Sequence, residues 1–167
     1  MKRILTISTL LILTIAFFNS CASSTKAIDV KVEKISKIFQ VENSKNELYL
    51  KANDWMISTF KDAESVIQFS DKESGVITGK YLMGKSLVPV GNSHTFSPSY
   101  ENVFAIIKIQ VKDKAAKITI TPNTYKNGTI TIAGKVDEGY TKETATKEIN
   151  SLIELFGEYL KNENDDF

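Results

Sequence analysis

The chain has 167 residues, with 21 Lys and Arg against 20 Asp and Glu, one histidine and one cysteine. Its only arginine is Arg3, so the planar guanidinium fork that favours phosphate and base recognition is missing from all that follows, and a nucleic-acid partner is not expected. One thiol and one imidazole exclude both a disulfide framework and the usual nitrogen and sulfur zinc site, and no cofactor or metal is expected.

Met1-Lys2-Arg3 is a short basic start, and the fifteen residues Ile4 to Phe18 carry no charge, glycine or proline. That run is shorter than the roughly 20 residues a helix needs to cross a hydrocarbon core, and the small Ser20 follows where a peptidase would cut. Cys21 stands directly behind it. Phe18-Asn19-Ser20-Cys21 resembles the lipobox of bacterial lipoproteins, which implies a diacylglycerol on the Cys21 sulfur and a further acyl chain, such as palmitate, on its freed amino group. An uncleaved signal anchor, or a plain cleaved signal with an incidental cysteine, is the competing reading. Residues 1–20 are thus expected to be a lipoprotein signal peptide, 21–30 a lipidated N-terminus and flexible tether, and 31–167 the folded domain. Cleavage would remove Lys2 and Arg3 and leave 19 basic against 20 acidic residues, so no strong electrostatic partner is implied. The expected place is the bacterial envelope, in the periplasm or at the cell surface. The outer membrane is favoured where there is one, since no aspartate follows the cysteine.

Val30 to Val41 alternates imperfectly and predicts a first strand with Phe39 and Val41 toward the core. Ser44 can cap a helix reaching to about Phe60, with Glu47 completing a capping box, and Leu48, Tyr49, Ala52, Trp55, Met56, Thr59 and Phe60 share one side. Four strands are predicted next, at Ser65 to Ser70, Gly75 to Met83, Val103 to Lys112 and Ala115 to Thr121. Short turn-rich breaks make their neighbours antiparallel. Leu87 to Asn102 reads as a long polar loop, and Thr124 to Ala133 as a hairpin arm turning at Asn127-Gly128. A last helix starts near Thr141 and carries a stripe of Ala145, Ile149, Leu152, Ile153, Phe156, Tyr159 and Leu160, before an end, 162–167, that reads as disordered.

The order strand, helix, four strands, helix predicts an α+β two-layer sandwich, an antiparallel sheet of about five strands with both helices on one face. The blocks Ser44 to Trp55 (SKNELYLKANDW), Val66 to Lys80 (VIQFSDKESGVITGK) and Ile109 to Ala115 (IQVKDKA) resemble the bacterial family catalogued as a domain of unknown function with a TBP-like fold. The resemblance implies that fold and an exported protein or lipoprotein; it implies no activity.

Covering one sheet face leaves the other free. On the strand Val103 to Lys112 the odd-numbered residues are apolar and belong to the core, while Phe104, Ile106, Lys108 and Gln110 face the other way beside Lys117 and Thr119. These six form the candidate binding face, suited to an envelope protein or glycan unless the 87–102 loop or the 124–133 hairpin folds over it. The expected function is therefore that of a lipid-anchored, non-catalytic binding or assembly module. The alternatives are an envelope hydrolase using the hydroxyl-rich surroundings of His94, and a passive surface lipoprotein. No catalytic residue is assigned.

Cells grown on labelled fatty acid should label the wild-type protein and not Cys21→Ser. A wild-type protein that is unlabelled and released into the medium would overturn the lipoprotein expectation.

Overall fold

The computed structural model describes residues 27–60, 66–92, 95–132 and 135–162; the signal segment, Cys21, His94 and the last five residues lie outside this set. In chain order the elements are β1 (Ile28–Val30), β2 (Ile35–Gln40), α1 (Lys45–Thr59), β3 (Ile67–Asp71), β4 (Val76–Asn92), β5 (Thr95–Lys112), β6 (Ala115–Pro122), β7 (Tyr125–Asn127), β8 (Ile130–Ile132), β9 (Lys135–Asp137) and α2 (Lys142–Lys161). Five strands make the main sheet in the order β2-β6-β5-β4-β3, with every neighbouring pair antiparallel. The fold is the α+β sandwich that the sequence predicts.

Both helices are set by their first turns. The Ser44 hydroxyl accepts from the Glu47 N–H while the Glu47 carboxylate accepts from the Ser44 N–H, and Thr141 caps α2 by accepting from the Thr144 N–H. Each capped helix lays its apolar side on the same sheet face. Leu48, Ala52, Trp55 and Met56 of α1 and Ile149, Ile153, Phe156 and Leu160 of α2 are buried against Ile77, Val103, Ala105, Ile107, Ile109, Ile118 and Ile120. Edge-on aromatic contacts run through this layer. Phe39 of β2 meets Phe156 at 5.9 Å, Phe156 meets Trp55 at 4.9 Å, and Trp55 meets Phe60 at 6.0 Å between ring centroids.

Three expectations change. The tether expected over 21–30 ends earlier, because Ile28–Val30 pairs with Tyr125–Asn127 and buries Val30. Of the predicted first strand, Val30 belongs to β1 and residues 35–40 form β2 in a different sheet, with 31–34 between them in neither.

The 87–102 segment is not a loop. It continues β4 and β5 into a long hairpin, in which Leu87 pairs with Tyr100 and Pro89 with Pro98. The Leu87 N–H and C=O point away from β5, toward the Asn127 side chain and the Gly128 N–H, so Leu87–Tyr100 is a non-hydrogen-bonded pair. Two residues on, Pro89–Pro98 is of the same kind, and neither proline removes a ladder hydrogen bond.

The third change concerns Asn127-Gly128, which is not a hairpin turn. β7 pairs with β1, and β8 pairs with β9 instead. Buried Asn127 is a junction: its Oδ1 accepts from the N–H groups of Tyr140 (3.0 Å) and Leu87 (3.3 Å), and its Nδ2 donates to the Glu138 carbonyl (2.7 Å). Gly128 lies against Pro89 and donates its N–H to the Leu87 carbonyl at 2.8 Å.

Gly157 of α2 lies under the Phe39 ring, where an added Cβ would stand 2.2 Å from Cε1. Alanine in a helix interior normally stabilises by about 1 kcal/mol relative to glycine. Here Gly157→Ala should lower the melting temperature instead, and Phe156→Ala should cost about 3–5 kcal/mol as deletion of a buried aromatic does. Thermal and denaturant unfolding read both, and a Gly157→Ala protein more stable than wild type would show that α2 does not come down on Phe39.

Candidate functional site

The six residues expected on the free sheet face are brought together. Register places Ile106 beside Thr121, Lys108 beside Thr119 and Gln110 beside Lys117 on β5 and β6, with Phe104 further along β5. β4 adds Thr78, opposite Lys108, Lys80, opposite Ile106, and Leu82, opposite Phe104; β2 adds Ser36 and Ile38, opposite Thr119 and Lys117. The Ser36 and Thr119 hydroxyls hydrogen-bond at 2.9 Å, and the Lys80 Nζ stands 4.5 Å from the centre of the Phe104 ring. Of the segments considered as covers, 87–102 extends the sheet as strands, and β7, from the 124–133 segment, lines the outer edge of that hairpin.

Phe104 and Ile106 are half-buried among their neighbours, while Ile38 (58%), Phe69 (54%) and Leu82 (48%) are openly exposed on the same face. Leu82 and Lys80 were legible, since Ile77, Gly79 and Tyr81 alternate with Thr78, Lys80 and Leu82. Phe69 was not. A bulge between Ile67 and Phe69 turns these two residues, which simple alternation would place on one face, to opposite faces of β3. At the end of the face near the β5–β6 turn lies a shallow depression of about 430 Å³, walled by Ile38, Gln40, Gln110, Lys112 and Lys117 over Ala115.

The face is basic. Lys80, Lys108, Lys112 and Lys117 share it with a single acid among the described residues, Asp71, whose carboxyl is held below the usual range by hydrogen bonds from Ser74 and the Glu73 N–H. None of Lys108, Lys112 and Lys117 forms an ion pair among the described residues, whereas Lys37 and Lys114, on other surfaces, pair with Glu154 and Glu42 at 2.6 and 2.7 Å. A second hollow, of about 920 Å³, is bordered only by the outer side of α2, including Glu143, Lys147, Ser151 and Leu155. With one helix supplying all of its lining, it is a solvated helix face and not a cleft.

His94, on which the alternative hydrolase reading rests, lies outside the described residues, and no group of three or more metal-ligating side chains occurs among those described. The titratable cluster that does occur is internal. Tyr140 donates its hydroxyl proton to the Glu148 carboxylate, Tyr125 lies 5.7 Å from Tyr140 between ring centres and donates to the Thr141 carbonyl, and Tyr81 lies close by. Burial raises all three phenols, and the Glu148 charge raises them further; Tyr125 reaches about 12. Hydroxyls held protonated this firmly are packing groups that tie β4, β7 and α2 together, and not acid–base catalysts at neutral pH.

An antiparallel sheet with both helices on one face and a bare face opposite defines the class. Residues 36–126, more than half of the chain, match the family described as a domain of unknown function (DUF4468) with TBP-like fold, and the chain belongs to that family. The match runs from β2 through the main sheet and α1 to β7. Among solved structures, a DUF4468 family protein from Bacteroides ovatus is 19% identical, with a TM-score of 0.48 over 80% of this chain and 89% of that one. A TBP-like protein from Parabacteroides distasonis is 16% identical, with a TM-score of 0.48 over 83% and 92%. No curated protein matches the chain.

The tyrosine cluster sets an alkaline limit to stability. An unfolded phenol releases its proton near pH 10, and the folded protein retains it to about 12 at Tyr125 and beyond at Tyr140, so stability is full below pH 10 and declines as pH rises through this window. Tyr140→Phe should flatten that decline relative to wild type, whatever its effect at neutral pH. Melting temperatures taken from about pH 9 to 12 read this, and parallel curves for the two proteins would contradict it.

Proposed function

We propose that the chain is a lipid-anchored protein of the bacterial cell envelope whose domain is a non-catalytic binding or assembly module, contacting an envelope component through its bare sheet face. Residues 1–20 direct export, Cys21 carries the acyl chains, and the domain stands in the periplasm or at the cell surface. Two or three acyl chains, at about 0.8 kcal/mol per buried methylene, hold it to the membrane for longer than the protein's working life.

The observation that carries the binding role is the company of Ile38, Phe69 and Leu82 with Phe104, Ile106 and unpaired lysines on a sheet face that neither helix covers. The helices α1 and α2 also expose Leu50, Ile57 and Leu155. What sets the sheet face apart is that its exposed apolar side chains accompany half-buried Phe104 and Ile106 and lysines outside any ion pair among the described residues. The hydrolase alternative rests on His94 and its neighbours in sequence, and nothing else among the described residues supports it.

A photo-crosslinking residue at Lys108 should yield adducts with envelope components in intact cells, and the same residue at Ser151, on the outer side of α2, should yield far fewer. Phe69→Ser with Leu82→Ser should abolish the adducts from position 108 while shifting stability by no more than about 0.5 kcal/mol each, as expected of exposed positions. Equal labelling from the two positions, or adducts that survive the double change, would reject this face as the contact surface.

A further inference from the structure

The bare face lies on the sheet side opposite the helices, and the two sides differ in charge. α1 and α2 together carry five lysines and six acidic residues, whereas the face carries Lys80, Lys108, Lys112 and Lys117 against Asp71 alone. The chain as a whole is almost neutral, so this is a segregation of charge and not a general excess. Ile38 on β2 and Phe69 on β3 flank these lysines at the two edges of the sheet, and Leu82 follows Lys80 along β4, all three exposed. Five antiparallel strands spaced about 4.8 Å apart give a surface roughly 20 Å wide. The 430 Å³ depression near the β5–β6 turn is open to solvent, a shape that suits contact with a surface.

Position limits the choice of partner. Six residues lie between Cys21 and Ile28, where β1 begins, and the seven chain steps from one to the other reach about 25 Å when fully extended. A domain anchored at Cys21 therefore never leaves the zone just above its own membrane. Confinement of this kind corresponds to millimolar effective concentration, at which even a modest attraction is largely satisfied.

We propose that the bare sheet face rests on the surface of the bilayer that carries the anchor and recognises its anionic lipid headgroups. The inference depends on the lipid-anchored reading above. Lysine ammonium groups meet the headgroup phosphates, and Ile38, Phe69 and Leu82 enter the boundary between headgroups and acyl chains, as amphipathic surfaces do. Each lysine near an anionic bilayer strengthens binding about fivefold, and the effect fades beyond a Debye length of about 8 Å at physiological salt.

The chain from residue 21 onward, with Cys21→Ser so that no acyl group takes part, is sedimented with vesicles of phosphatidylcholine alone and of phosphatidylcholine mixed with phosphatidylglycerol. Binding to the mixed vesicles only, lost at high salt, is the expected result. Replacing Lys108, Lys112 and Lys117 together by Gln should weaken it about 100-fold, while Lys142→Gln with Lys147→Gln on the outer side of α2 should leave it unchanged. The salt arm needs no variant, so it stands even if the triple change disturbs folding. Equal binding to neutral vesicles, salt-insensitive binding, or full retention in a folded triple variant would overturn the proposal. Binding to a polyglutamate peptide without binding to anionic vesicles would overturn it in favour of an acidic protein. Fatty-acid labelling at Cys21 tests the anchor separately: label without vesicle binding removes the headgroup contact and keeps the anchor, and vesicle binding without label does the reverse.

Discussion

The contact on which the arrangement depends is the approach of α2 to β2 at Gly157, where the absence of a side chain lets the helix come down on the Phe39 ring. That seating turns Phe156 edge-on to Phe39 and brings it to Trp55, so one buried ring contacts both the edge strand and the other helix. With Phe156 fixed, α1 and α2 have one side of the sheet on which to lie, and their apolar stripes meet the isoleucines of β4, β5 and β6 there. The bare face follows from this commitment. A sheet of five strands with only two helices in reach can cover one side, and the other is left to whatever lies outside the domain.

A second constraint holds the long hairpin against the domain. Unsupported, the outer part of β4 and β5 would be a two-stranded ribbon, and such ribbons are marginal alone in water. Asn127 and Gly128 supply the partners that the outer edge of β4 lacks, through hydrogen bonds to the N–H and C=O of Leu87. Asn127 also reaches the backbone of Glu138 and Tyr140 just before α2, so hairpin, β7 and helix entry share one buried side chain. Gly139 fits beside it with φ at +61°, its N–H donated to Asp137, where an added Cβ would strike Asn127 Oδ1. The tyrosine cluster lies next to this junction and repeats its logic with hydroxyl groups. Tyr140 gives its backbone N–H to Asn127 and its phenol to Glu148, fastening the start of α2 to its second turn.

What the sequence showed, it showed through local rules. The Ser44 cap, both helical stripes and the antiparallel pairing of β3 to β6 with their chain neighbours follow from periodicities confined to a few turns or a single hairpin, and Ser44, Glu47 and Phe156 do what their spacing predicts. The pairing of β2 with β6, far apart in the chain, has no such local signal. The misreadings share a cause. Pro89, Gly91, Asn92 and Pro98 are loop-forming residues by composition, yet the prolines sit at register positions that need no N–H, a property of the pairing that no single strand displays. Asn127-Gly128 carries the strongest turn signal in the chain, and the Asn side chain is instead claimed by Leu87, Glu138 and Tyr140. The candidate face was legible on β5 and β6, whose alternation is unbroken. It was invisible on β3, where the bulge at Ile67–Phe69 moves Phe69 to the opposite face from the one that counting by twos would give.

The absence of arginine beyond Arg3 gives the basic face its character. An arginine would bring a planar fork that matches one carboxylate or phosphate in one orientation, and a cluster of arginines would select a partner by geometry. Lysines act as point charges on flexible stems. Lys108, Lys112 and Lys117, exposed and outside any ion pair among the described residues, respond to the density of negative charge before them rather than to its pattern. Lys80, by contrast, stands over the Phe104 ring, 4.5 Å from its centre. A face of this kind discriminates poorly between individual anionic groups and well between a charged and an uncharged surface. Selection among partners then falls to placement, and under the proposed anchoring at Cys21 the short Cys21-to-Ile28 segment would supply it by limiting which surface the lysines meet.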